Sequence, residues 1–441
     1  MTIICYNLSV NIFFLIGVRI MLIGFTLKNF MSFFGENIFT MTASADTKFR
    51  ELNTIKTKYG ELMKSAFIFG ANGSGKSNFI KAIDYMKNIV LAELNMQSKM
   101  IANIDNFIFS NISSETPSIF GVEFIAGGLV YEYGFELLNG EVNKEYLYKK
   151  TRRKTPVFNR ASPDFKDIIL SKDMDNVKEL TKNTRRDTLF LYWANGGNNE
   201  IAMTVCRWFE NIQIFDTEDI TGLLSATIEY LEENENGKNN VLNLLQTADI
   251  NILDFEVELS EENEQNKFMN KALKKSFAEK ILPFRTVSLI TKHHFYNDKW
   301  EKAGIVSTPI IFESAGTKKL FEIAGPIIKA LENGNVVFID EIDSRLHPML
   351  VRFLVMMFNS ISKNPKNAQL ICNSHDVLLL DEDIRRDQIY FTEKDEHGVS
   401  KLYSLNDFKG VRKESKLLKH YLLGAFGATP KFRDYFIPKK S

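Results

Sequence analysis

The chain has 441 residues, room for two or three domains, and its 44% hydrophobic and 25% charged residues are the balance of a globular protein. Lys plus Arg equals Asp plus Glu at 55 each, so no global basic footprint marks it for nucleic acid. The three cysteines, Cys5, Cys206 and Cys372, lie far apart in apolar surroundings, which argues against a disulfide or zinc framework and fits reduced thiols of a cytoplasmic protein.

The apolar run from Ile12 to Val18 is interrupted by Arg19 and falls short of the roughly 20 residues that span a bilayer, so no membrane anchor is expected. Neither a basic n-region nor a small-residue cleavage site marks a signal peptide. Residues 1–20 read as a dispensable extension, with the functional chain starting at Met21. From there Ile23, Phe25 and Leu27 alternate with Gly24, Thr26 and Lys28, the spacing of a strand, and Asn37 to Thr42 can return as its partner.

Ser65 to Phe69 is a short apolar run that reads as a buried strand. The glycine-rich turn Gly70-Ala71-Asn72-Gly73-Ser74-Gly75-Lys76-Ser77 follows, and Phe79, Ile83, Met86 and Val90 then take helical spacing. The turn fits G-x-x-x-x-G-K-[ST], the Walker A phosphate-binding loop. Glycines let the backbone curl so that successive N–H groups point at one anion, and the new helix adds the positive end of its dipole. Lys76 would reach the β- and γ-phosphates, and the Ser77 hydroxyl would bind Mg²⁺. Strand before and helix after are the context the motif needs. The ligand this implies is a nucleoside triphosphate.

Three β-rich pieces come next, Ser118 to Ile125, Leu129 to Leu138 and Val142 to Tyr148, separated by the hairpin signals Gly127-Gly128 and Asn139-Gly140. They read as an antiparallel sheet beside the nucleotide core. Tyr148 to Lys154 is the one dense basic run, and it suits either a phosphate backbone or a solvated hairpin edge. From about Val177 to Lys280 the pattern is mostly helical and more polar, without the long heptads of a coiled coil. The expected organisation is therefore an N-terminal half of the core at 21–150, a mostly helical arm or lid at 151–283, and a C-terminal half at 284–441.

In that second half Phe284 to Phe295 and Thr308 to Phe312 read as strands. A helix from Thr317 to about Leu331 precedes the fully apolar strand Val336 to Ile339. Asp340-Glu341 closes that strand as a Walker B element: Asp340 would hold Mg²⁺ and Glu341 would polarise the attacking water. Asp343 opens a second acidic turn running into Arg345-Leu346-His347-Pro348. Ser314-Ala315-Gly316-Thr317 starts the preceding helix, where a Ser/Gly pair is a second potential anion site. His375, in Asn373-Ser374-His375-Asp376, follows the Ala368 to Cys372 strand, at the strand end that faces the ligand crevice of an α/β sheet, where as a catalytic residue it could contact the γ-phosphate or the attacking water.

These stations together resemble the ABC-type ATPases of the SMC and RecF lineage, and more closely the RloA-like or AbiLi-like ATPases of abortive-infection systems, members of the AAA family. Leu22 to Phe33 looks like that family's first strand, with Met31 where an arginine is usual. Glu313 to Thr317 is similar to its degenerate signature, and Phe338 to Asp343 through Leu346-His347-Pro348 to its Walker B and D-loop. Arg385 to Phe391, Leu402 to Leu405 and Tyr421 to Ala428 resemble its closing run. The resemblance covers Met21 to the C-terminus and is weakest in the helical arm. It implies an α/β P-loop NTPase of ABC-ATPase type, a mixed sheet plus an antiparallel β subdomain, with an inserted helical arm. It also implies ATP and Mg²⁺ as cofactors and a cytoplasmic homodimer or higher homo-oligomer that sandwiches ATP. In such a dimer Ser314 and Gly316 would meet the γ-phosphate held by the other subunit, and Asp343 and His375 would line the site. The implied role is phage defence with a separately encoded nuclease or toxin as effector. A RecF-like or SMC-like DNA-repair ATPase that clamps nucleic acid directly is the competing reading.

Overall fold

The computed structural model describes residues 20–217, 219–248, 250–260, 286–381, 383–409 and 416–430. The expected extension, Cys5 and most of the charged stretch after Ser260 lie outside them. The strands, in chain order, are β1 (Met21–Lys28), β2 (Asn37–Thr40), β3 (Thr54–Thr57), β4 (Gly60–Met63), β5 (Ser65–Phe69), β6 (Ser118–Ala126), β7 (Leu129–Leu138), β8 (Glu141–Lys150) and β9 (Lys154–Arg160). They continue as β10 (Ile168–Leu170), β11 (Ile212–Asp216), β12 (Asp254–Ser260), β13 (Thr286–Tyr296), β14 (Lys302–Pro309), β15 (Val336–Asp340), β16 (Gln369–Asn373), β17 (Ile389–Lys394) and β18 (Ser400–Ser404). The helices used below are α1 (Lys76–Leu91), α2 (Phe190–Gly196), α3 (Ile220–Glu233), α4 (Gly237–Thr247), α5 (Ala315–Asn333) and α6 (Pro348–Asn359).

The chain forms two compact units, one from Met1–Asp216, Ala330–Asp343 and Leu354–Ser441, the other from Thr217–Lys329 and Ser344–Phe353. In the first unit a six-stranded sheet runs β11-β15-β16-β5-β17-β18, parallel except for β18. Every residue of β5, β15 and β16 is buried, as a parallel sheet covered on both faces requires. A seven-stranded antiparallel sheet runs β10-β9-β8-β7-β6-β1-β2. Its two tight hairpins stand where the sequence signals them: Gly127 and Gly128 have φ of 56° and 74°, Asn139 and Gly140 have 53° and 74°. Such two-residue turns need positive φ at both positions. Fold class therefore agrees with the sequence: an α/β core with a mixed sheet and an antiparallel β subdomain.

The two sheets are joined by aromatic packing and one buried amide. Phe79 of α1 meets Phe25 of β1 and Phe39 of β2 at 5.8 and 5.3 Å between ring centroids. The Leu22 N–H donates to Gln369 Oε1 at 2.7 Å, and Gln369 Nε2 donates back to Leu22 O and Met63 O. A fully buried Gln is tolerated because its acceptor and both donors are used.

Ile212–Asp216 lies inside the stretch read as a helical arm, yet it forms β11, paired in parallel with β15. Five residues are too few for a periodicity to declare itself against the helices around them. Strands β9, β10 and β12 also fall within 151–283. The expected strand over Thr308–Phe312 instead ends at Pro309, and Ile310–Phe312 is a 3₁₀ turn. Pro309 has no N–H to continue the ladder.

The second unit holds the three-stranded antiparallel sheet β12-β13-β14 and the helices α3 and α4. Helix α5, which starts there, contains Pro326, which cannot donate to Glu322 O four residues back. Thr227 of α3 fills the gap: its hydroxyl donates to Glu322 O at 2.7 Å and accepts from the Gly325 N–H at 3.1 Å. Gly325 is required for that approach, since a Cβ there would stand 2.5 Å from Thr227 Cα.

One buried cation holds the edge of the antiparallel sheet. Arg160, fully buried, donates to Ser162 O, Pro163 O, Arg185 O and Thr188 O at 2.7–3.1 Å. The buried Glu145 beside it accepts from the Phe190 and Leu191 N–H groups that open α2. Arg160→Ala removes a donor from four carbonyls and leaves Glu145 without its counter-charge, a loss of about 3–5 kcal/mol. Urea unfolding measures it. Arg160→Lys recovers little, because one ammonium cannot serve the same fork of acceptors.

Candidate nucleotide site

The phosphate loop links the C-terminal end of β5 to α1. Gly73 and Gly75 have φ of 71° and 113°, backbone conformations that cost a residue with a Cβ. A Cβ at Gly70 would lie 2.5 Å from Thr392 O, and one at Gly75 would lie 2.6 Å from Ser400 Oγ. Beneath the loop, Ser74 Oγ is 2.7 Å from Thr392 Oγ1. Ser400 Oγ is 2.7 Å from Ser74 O and 2.8 Å from Ser32 Oγ. Asn78 Nδ2 also donates to Ser32 Oγ at 2.8 Å.

Lys76 is buried and its ammonium donates to Gly70 O and Ala71 O at 2.8 and 3.2 Å, across the mouth of the loop. Burial lowers its pKa, while the carboxylates of Glu341, Asp343 and Asp340 pull it back up. Asp340 closes β15 and is buried. Burial raises its pKa, the Asn373 and Ser77 side chains oppose this by hydrogen-bonding the carboxylate, and Asp216 adds a like charge. Asp216 stands opposite Asp340 in the β11–β15 register.

Asn373, the last residue of β16, was not singled out by sequence reasoning. Its Nδ2 donates to Asp340 Oδ1 and its Oδ1 accepts from the Glu341 N–H at 2.5 Å. Glu341 has φ 53°, the left-handed region, uncommon for a residue with a Cβ. His375 Nε2 stands 3.8 Å from Glu341 Oε1, and the His375 N–H donates to both Asp343 carboxylate oxygens at 3.1 Å. The available signal for Asn373 is a polar residue directly after the apolar run Leu370–Cys372. Thr392 and Ser400 carry no local signal at all.

The structure thus brings together Gly70 to Ser77, Asp340, Glu341, Asp343 and His375 at one edge of the six-stranded sheet. Ser314 and Gly316 belong to the second unit. There Ser314 Oγ accepts from the Thr317 N–H at 3.0 Å, the cap expected at the start of a helix. A Cβ at Gly316 would meet only ordinary contact, 3.5 Å from Arg345 O, so the described fold does not require a glycine there.

The donor chemistry fits nucleotide and metal. Ser77 and Asp340 present oxygens, the ligands a hard divalent cation takes, and the loop's glycines leave no side chain over its N–H groups. A family model described as "AAA domain, putative AbiEii toxin, Type IV TA system" matches residues 65–381, from the first residue of β5 to beyond His375. The chain belongs to this family. No curated protein matches it significantly. Among solved structures, the SmcHead bound to the C-winged helix domain of ScpA is similar at 15% identity with a TM-score of 0.40, over 87% of this chain and 97% of that one. Among the described residues of this AAA domain, no helix is long and apolar enough to cross a membrane.

Two substitutions separate binding from turnover in this AAA domain. Lys76→Ala removes a charge-assisted contact of about 1.5–3 kcal/mol and weakens ATP binding about tenfold or more by calorimetry. Asn373→Ala leaves the loop intact but frees Asp340 and the Glu341 backbone. Turnover should fall about 10–100-fold, the usual cost of losing a group that orients catalytic ligands, with ATP affinity nearly kept.

Proposed function

We propose that the protein is a Mg²⁺-dependent ATPase of ABC type whose ATP is enclosed between two copies of the chain. We further propose that it serves as the sensor or regulator subunit of an RloA-like or AbiLi-like abortive-infection system in the cytoplasm. The observation that carries the chemistry is the geometry at the ends of β15 and β16: Asp340 is tied to Ser77, and Glu341 is held by Asn373 with His375 3.8 Å away. Glu341 orients the attacking water and accepts its proton, and His375 contacts the γ-phosphate. Lys76 leaves the carbonyls of Gly70 and Ala71 for the β- and γ-phosphates. Ser77 and Asp340 would hold Mg²⁺, which when bound would neutralise charge on the phosphates.

The shared site rests on Ser314 and Gly316. A capped helix start with a glycine that its own fold does not demand suits the approach of another molecule's phosphate. A family described as "AAA domain, putative AbiEii toxin, Type IV TA system" supports a defence setting; that a separate nuclease or toxin is the effector is part of the proposal. The DNA-clamp reading draws less support. In the one dense basic run, Lys149 is paired with Asp173 at 2.7 Å and Lys154 with Glu132 at 2.6 Å, leaving less charge for a phosphate backbone.

Glu341→Gln keeps a hydrogen-bonding side chain but removes the base. Turnover should drop about 10²–10⁴-fold, while ATP binds and the nucleotide-held dimer accumulates by mass action. Ser314→Arg in the same chain should abolish that accumulation without weakening ATP binding at the loop. Light scattering with ATP and Mg²⁺ reads both, and trapped nucleotide per chain is counted in the same samples. An unchanged mass in Glu341→Gln, with no trapped nucleotide, contradicts the shared site.

A further inference from the structure

The closing run Tyr421–Ala428 is a stretch that the nucleotide chemistry leaves without a role. It begins in the last turn of a short helix, α7 (Leu417–Leu422), and curls back on itself. The Tyr421 hydroxyl donates to Ala428 O at 3.0 Å, and the Gly424 N–H donates to Tyr421 O at 2.8 Å. Tyr403 of β18 ties the turn to the six-stranded sheet, its hydroxyl donating to Phe426 O at 2.8 Å. Tyr421 and Phe426 are buried, while Leu422 and Leu423 between them are exposed. The run therefore turns two rings inward.

Both rings land on the same place. Phe391 of β17 stacks on Tyr421 at 5.5 Å between centroids and 9° between planes, and on Phe426 at 5.7 Å and 23°. Phe69 of β5 stands 6.5 Å from Tyr421 and 6.4 Å from Phe391. Phe69 and Phe391 are partners in the β5–β17 register, and theirs is the last pair of that ladder. The next residue on one strand is Gly70 and on the other Thr392, the two whose approach seats the phosphate loop. A Cβ at Gly70 would lie 2.5 Å from Thr392 O, and Thr392 Oγ1 is 2.7 Å from Ser74 Oγ. Side chains alternate along a strand, so Phe391 faces the closing run and Thr392 faces the loop. Where the ladder ends, ring packing keeps the two strands in step.

We propose that Tyr421 is a positioning residue for the phosphate loop. Through Phe69 and Phe391 it holds Gly70 against Thr392, and with them the backbone N–H groups that receive the triphosphate. The inference rests on the reading that this loop binds ATP, and it gives the closing run a part in that binding. Tyr421 acts through its neighbours, since it is buried and Phe391 covers one face of its ring. A loop of this kind aims several N–H groups at one anion, so a displacement of about 1 Å in its support weakens all of them together. A ring that only filled the core would change stability and leave the affinity of the folded protein alone.

The test measures binding of ATP and of inorganic triphosphate to the full chain, each with Mg²⁺, by calorimetry at a temperature where thermal unfolding shows the variant folded. Tyr421→Ala should weaken both ligands about tenfold and by the same factor, because the loop is disturbed and no contact to the nucleoside is. Tyr421→Phe keeps the stacked ring and should bind both nearly as the parent does. Gly427→Ala opens no cavity, but its Cβ would stand 2.7 Å from Glu393 Oε2 and 2.9 Å from the Tyr403 hydroxyl, at a φ of 68°. It displaces the run and should weaken both ligands in the same way. Parental affinities in Tyr421→Ala, with only its unfolding temperature lowered, overturn the proposal. So does a loss confined to ATP, or an equal loss in Tyr421→Phe. If Tyr421→Ala fails to fold, Gly427→Ala decides by the same readings. If Lys76→Ala binds both ligands as the parent does, the reading of the loop as the ATP site has itself failed. If Lys76→Ala loses them while Tyr421→Ala does not, only the role given to Tyr421 is lost.

Discussion

A phosphate loop is a row of backbone donors that must be kept pointing at one place, and here the strands that close the sheet hold it there. Ser74 reaches Thr392 across 318 positions, and its carbonyl reaches Ser400 across 326. The room for these contacts exists because Gly70 and Gly75 have no side chains: a Cβ at either would collide with Thr392 or Ser400. The fixed loop then sets the start of α1, whose Phe79 packs on β1 and β2, so the antiparallel sheet is seated on the same support. Tyr390 of β17 adds a tie of its own, donating to Thr40 O on β2 at 2.8 Å. Local dihedral freedom at two glycines and long-range packing depend on one another.

The same economy governs the acidic edge. Burying Asp340 disfavours its charge, and the structure answers with Ser77 from the loop helix and Asn373 from the next strand. Asn373 also holds the N–H of Glu341, so the residue proposed to orient water is kept in a left-handed backbone conformation. Asp343 takes the backbone N–H of His375, which carries that imidazole toward Glu341. Three separate sequence motifs thus become one connected group because β5, β16 and β15 are neighbours in the sheet.

Much of this is legible in the sequence. The phosphate loop declares itself through glycines at fixed offsets between an apolar run and a helical period. Asp340 and Glu341 are marked by the apolar strand they end, and the hairpins at Gly127 and Asn139 by turns that demand positive φ. What stayed hidden has a physical reason in each case. Strand β11 is five residues long and paired only at long range, so helical neighbours mask it. Pro309 cuts short a strand whose apolar pattern runs on to Phe312. Thr392 and Ser400 are ordinary strand residues until the sheet order places them under the loop.

The central claim is that one catalytic site takes its phosphate loop from one copy and its Ser314 helix start from another. It is tested most directly by mixing two crippled proteins, one carrying Lys76→Ala and the other Ser314→Arg. Each alone lacks a necessary half of every site it can build. In a mixed dimer, the intact loop of the Ser314→Arg copy faces the intact helix start of the Lys76→Ala copy. The account predicts that the mixture hydrolyses ATP, with Mg²⁺, at a rate neither protein shows alone. No turnover on mixing, or native turnover by Ser314→Arg on its own, would contradict it.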